Sequence, residues 1–178
     1  MPKAVFESSF DLPEEGTYLG RIFEVPFETD TKGLSGRVRV EIIDGIEHEE
    51  CNQMKVMDNF PLYANFGVSR LLGTLIKTGA KLDANKDYPV DFFNNEKQQN
   101  TAIRQLLEKE YGFTIKHNKI EGREKPVANI ILVMSKDEYM TKKKNYVGPV
   151  SKGGKPASVA TETKTGDAAT TKEIDEWG

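Results

Sequence analysis

Basic side chains recur at alternate positions in the first half of the chain, with aromatic rings close by. Arg37 and Arg39 flank Val38; Val40 and Ile42 continue the apolar series and Glu41 the polar one. In an extended strand this period of two sends Val38, Val40 and Ile42 to one face and Arg37, Arg39 and Glu41 to the other. Arg21, Lys55, Lys116 and Lys119 fall on other strand-like segments, and Arg123 and Lys125 mark the last hairpin. Phe23 lies two residues beyond Arg21, and Phe60, Tyr63 and Phe66 cluster in DNFPLYANF. Cations that meet phosphates, beside rings on which bases stack, are the two components of a sequence-tolerant single-strand nucleic-acid site. The candidate phosphate contacts are Arg21, Arg37, Arg39, Lys55, Lys116, Lys119, Arg123 and Lys125, and the candidate stacking rings are Phe23, Phe60 and Tyr63. Against this stands a plainer reading: basic residues commonly only solvate an exposed strand face, Glu41 interrupts the stripe, and Phe60 and Phe66 suit a core.

Catalytic chemistry has less to work with. The chain holds no GxxxxGK[ST] phosphate loop, GxGxxG, GxSxG or HExxH. His48 and Cys51, with Glu49 and Glu50 between them, could be half a metal site, but zinc needs three or four ligands and no second cluster accompanies them. They read as a solvated acidic loop, and His117, between Lys116 and Lys119, reads as a surface residue. Asp44 and Asp58 stand near strand ends, where aspartate serves turns. The expectation is a binding protein with no catalytic residues, no metal and no cofactor.

The elements that must position these residues follow from periodicity and turn chemistry. A strand is expected over Gly16–Val25, a loop over 29–33 and a second strand over Gly36–Ile43. Asp44-Gly45 between Ile43 and Ile46 is a two-residue hairpin signal, with the returning strand resuming at Met54–Phe60 after a loop or bulge in HEECN. Val68, Leu71, Leu72, Leu75 and Ile76 form a helical stripe that Gly79 ends. A second helix is expected over Glu96–Glu110, capped by Asn95 and closed by Gly112. Strands over Phe113–Ile120 and Val127–Ser135 complete the set, with residues 129–134 apolar enough to be buried on both faces. The fold class expected is mainly β with inserted helices: five antiparallel strands with helices between the third and fourth, the order of an OB-fold barrel. An α+β sheet is the alternative.

With 178 residues, the chain suits one domain and an extension. The expected domain is 1–140, followed by a disordered tail, 141–178, rich in Gly, Ser, Thr, Ala, Lys and Pro, which cannot bury enough apolar area to offset its ordering entropy. The tail ends in Glu173-Ile174-Asp175-Glu176-Trp177-Gly178. Two apolar anchors three residues apart, flanked by acids, have the form of a short linear motif that docks in a partner's pocket. A tip folded back on its own domain is the competing reading. A net charge of −3 does not favour a wholesale polyanion coat, though local charge decides contact. One cysteine and no leader or membrane-spanning stretch point to a reducing cytoplasm, the host cell's if the chain is viral.

LPEEGTY (12–18), TDTKG (29–33), DNF (58–60) before Leu71-Leu72, and YGFTI (111–115) together resemble phage-encoded single-stranded-DNA-binding proteins, over roughly residues 10–137. The resemblance implies an OB-fold core that binds single strands without sequence preference in replication and recombination. Residues 173–177 are similar to the acidic tips that recruit replication and repair partners; here there are three acids, and Gly178 follows the ring. A homo-oligomer through strand edges is compatible with this reading. The alternative is a protein-interaction module, such as a virion or recombination-accessory component, with no direct DNA contact.

Overall fold

The computed structural model describes residues 11–122, 124–146 and Trp177. Alternation of apolar and polar residues builds the strands β1 (Gly16–Glu24), β2 (Phe27–Asp30), β3 (Gly33–Gly45), β4 (Lys55–Pro61), β5 (Glu110–Asn118) and β6 (Val127–Ser135). Three helices, α1 (Asn65–Lys77), α2 (Glu96–Leu106) and α3 (Lys136–Lys144), lie between β4 and β5 and after β6. All pairings are antiparallel, in the order β2-β3-β1-β5-β6, with β4 on β3. No ladder joins β4 to β6 among the described residues, so the sheet is open.

One face of the sheet makes the core. Val38, Val40 and Ile42 of β3 meet Tyr18 and Ile22 of β1, Val56 and Phe60 of β4, and Phe113 and Ile115 of β5. Val68, Leu71 and Leu75 of α1 and Ala102 and Leu106 of α2 cover them. Burying each large apolar side chain contributes about 1.5–3 kcal/mol, so the stripe on α1 is held by packing more than by propensity. The first turn of α1 lies against the end of β4: a Cβ on Gly67 would overlap the Pro61 carbonyl oxygen. α3 crosses the other face at one end, where Tyr139 packs with Leu19 and Met134. Tyr139 Oη and Lys143 Nζ both donate to Asp44 Oδ2, at 2.8 and 2.7 Å.

Several expected elements differ. Among the described residues six strands form where five were expected, because Phe27–Asp30 pairs with Gly33–Gly36 across a turn in which Asp30 Oδ1 accepts from the backbone of Lys32 and Gly33. Asp44-Gly45 is not a hairpin: β3 runs through it, Gly45 pairs with Tyr18, and the carboxylate of Asp44 holds α3. The chain returns through a helical turn at Glu49–Cys51. Asn95 caps α2 as expected, but the helix ends at Leu106 because the next turn is drawn onto β1, with Glu108 N donating to Ile22 O. Gly112 sits within β5, where a Cβ would meet Met134 Cγ at 2.6 Å and Tyr139 Cβ at 2.8 Å. β6 is not buried on both faces: it ends the pairing order, and Ile131 and Leu132 are 51% and 53% exposed. α3, started by a reciprocal capping box of Ser135 and Glu138, continues past residue 140 to Lys144.

Candidate nucleic-acid interface

The face of β1, β3 and β4 opposite the core carries the first group of expected contacts. Register aligns Arg21 with Glu41, Glu41 with Lys55, Arg39 with Met57 and Arg37 with Asn59, so these side chains share that face. Phe23 is part of the same surface, 38% exposed at an irregularity of β1, with Lys55 Nζ 5.8 Å from its ring centroid. Arg21, Phe23, Arg37, Arg39 and Lys55, scattered over residues 21–55 of the sequence, thus become neighbours. α3 covers the far end of this surface through Leu19 and Met134, while among the described residues the Arg21 side chain at the cationic end is 45% exposed.

Each arginine is engaged by a carboxylate. Arg37 Nη1 donates to Glu28 Oε1 at 2.9 Å and its Nε to Asn59 Oδ1 at 3.2 Å. Arg39 Nη1 reaches Glu24 Oε1 at 2.8 Å, and Arg21 Nη2 reaches Glu110 Oε2 at 3.0 Å. Glu110 also binds Lys136, and these two cations, Lys136 foremost, hold its carboxyl below the ordinary range. The surface is therefore a lattice of alternating charge, not a bare cationic stripe. Exposed pairs of this kind are worth about 0–1 kcal/mol each, so a phosphate can take a carboxylate's place at small cost.

The remaining expected contacts do not join this cluster. Lys116 is exposed near the end of β5, beside the start of β1, and Lys119 and Lys125 are exposed in the hairpin beyond. They lie at the opposite end of β1 from Arg21. Arg123 is outside the described residues. Phe60 is a correction: it is 0% exposed in the core, and its ring underlies the Arg70 guanidinium at 4.8 Å. Tyr63 is 46% exposed but lines a different feature, a cleft of about 400 Å³ with Leu34, Leu62, Val90, Asp91 and Asn94. Phe66, read as core, is 62% exposed.

Arg70 is the residue that sequence reasoning missed. Placed by α1 over the gap between β4 and β6, it donates to Asp58 Oδ1 at 2.6 Å, to Asn59 O at 3.2 Å and to Ile130 O at 3.4 Å. Asp58 is 3% exposed, and burial pushes its carboxyl up to about 6 against the opposing pull of Arg70. Asp58 Oδ2 and Tyr111 Oη are buried without partners among the described residues, and burial, with Asp58 nearby, raises the Tyr111 phenol well above its ordinary value. A polar Asp between apolar Val56 and Phe60 on the inward face was the available signal.

His48 Nδ1 contacts Glu50 at 3.1 Å, and His117 Nε2 lies 2.7 Å from Pro13 O. Among the described residues no three His, Cys, Asp or Glu side chains are grouped to hold a metal ion, and no helix is long and apolar enough to cross a membrane. Trp177, expected to stand free for a partner, is instead 7% exposed against the domain. Glu173, Ile174, Asp175 and Glu176 lie outside the described residues. No family model matches the chain, and no curated protein matches it.

Proposed function

We propose that this protein binds single-stranded DNA without sequence preference on the open face of β1, β3 and β4. The observation that carries the reading is the register that gathers Arg21, Arg37, Arg39 and Lys55 on one face, with Lys55 Nζ over the exposed ring of Phe23. Phosphates would exchange for Glu24, Glu28 and Glu110 on the arginines, and a base would stack on Phe23. The pairing order supports reading the sheet as an OB-type barrel. β2 continues β1 past Pro26, β1 pairs with β3 and β5, β3 with β4, and β5 with β6, while Arg70 spans the remaining gap. The likeness to phage single-strand-binding proteins supports a place in replication or recombination, in a host cytoplasm, with partners recruited by residues 173–177. The test is binding of a labelled oligo-dT to the wild type and to the Arg37→Ala, Arg39→Ala double variant. A loss of about tenfold or more in the variant is expected if both arginines meet phosphates.

A second reading, a protein-interaction module with no direct DNA contact, draws on two observations. Every arginine on the face already holds a carboxylate, and Ile131 and Leu132 stand exposed on β6. Equal, weak binding of oligo-dT by wild type and double variant would favour it.

A further inference from the structure

Trp177 occupies a built seat. Its indole lies beside the Phe92 ring, centroids 6.2 Å apart, and its carbonyl accepts from Gln98 Nε2 at 2.6 Å. Gln98 Oε1 is buried without a partner among the described residues, which leaves an acceptor for a peptide N–H in the same seat. Phe92 meets the fully buried Phe93 edge-on at 4.9 Å, and Phe93 touches Phe27 at 6.3 Å, so the seat is anchored to the core. Phe27 aligns with Gly36, whose neighbours Phe27 and Leu62 are on the core side, while Arg37 projects to the other face. The seat is on the helical side of the sheet, so the docked ring does not cover the cationic face.

Residues 147–176 separate Tyr146 from Trp177. At ~3.3 Å per residue the fully extended span is on the order of 100 Å, against about 30 Å for the diameter of a small domain. We propose that the seat of Phe92 and Gln98 is a peptide-docking site, held by the chain's own tip and open to the tip of a second copy once that resident leaves. A tip joined to its own seat through the chain competes at an effective concentration of about 1 mM. A tip in this seat is withheld from any other pocket, so docking also sets how much of it is presented.

The probe is a labelled peptide of residues 168–178, followed by fluorescence anisotropy with no nucleic acid present, so the outcome is independent of DNA binding. The full-length Trp177→Ala variant, whose seat has lost its resident ring, is expected to bind the peptide. The wild type is expected to bind at least about tenfold more weakly, because its own tip competes. Gln98→Ala in the Trp177→Ala background should weaken the peptide, and Phe92→Ala should do so more strongly; the glutamine variant decides if the phenylalanine variant fails to fold. Absence of binding to folded Trp177→Ala protein, equal binding by wild type and Trp177→Ala, or undiminished binding after Gln98→Ala would each overturn the proposal.

Discussion

Arg37 and Arg39 each stand between two acceptors, the carboxylate they hold and the phosphate they are proposed to meet. Glu24→Gln with Glu28→Gln removes one competing carboxylate from each guanidinium and should tighten oligo-dT binding several-fold at low salt, whereas a surface that only solvates itself would show no change. Phe23→Ala should weaken binding by about 1–3 kcal/mol if a base stacks there. At Asp58 the prediction concerns stability. Its folded value, about 6, lies above the ordinary 3.8, so its contribution is fully present below 3.8 and is lost as pH rises through 6. Wild-type stability in urea should therefore fall by about 1–2 kcal/mol from this group between about pH 5 and pH 8. Asp58→Asn should remove that part of the pH dependence, Arg70 being 37% exposed and able to turn to solvent. An unchanged pH profile in the variant would show that Asp58 is charged across the range.

Elements were legible where one periodicity governed them. The stripe of α1 and the alternation in β3 depend on neighbours close in sequence, and both formed as expected. The failures were positions decided by distant partners. Asp44-Gly45 has the chemistry of a tight turn, yet Asp44 is held by Tyr139 and Lys143 nearly a hundred residues on. Gly112 has the chemistry of a helix stop, yet it makes room for Met134 and Tyr139. α3 was readable in principle, since Ser135-Lys136-Asp137-Glu138 is a capping box, but the run of lysines behind it resembled the start of a tail. Ser135→Ala should cost about 1 kcal/mol in thermal or urea unfolding. Gly67→Ala should cost about 3 kcal/mol or more, because backbone must move to admit the new methyl group.

At the scale of the whole molecule, the sheet divides the labour. Its inner face is a core closed by α1 and α2, with Trp177 docked on that side; its outer face carries the charge lattice. The sequence named Arg21, Phe23, Arg37, Arg39 and Lys55 correctly as strand residues, but their meeting on one surface depends on register, which no single strand encodes. The carboxylates that hold the arginines were equally invisible, since Glu24 and Glu110 reach the site from separate segments. The most direct test of the central claim is anisotropy of a labelled oligo-dT against salt. With about four phosphates neutralised by Arg21, Arg37, Arg39 and Lys55, the logarithm of affinity should fall with a slope near −3, or about 50-fold between 50 and 200 mM salt. Binding that changes less than about twofold over that range would contradict phosphate recognition by this face.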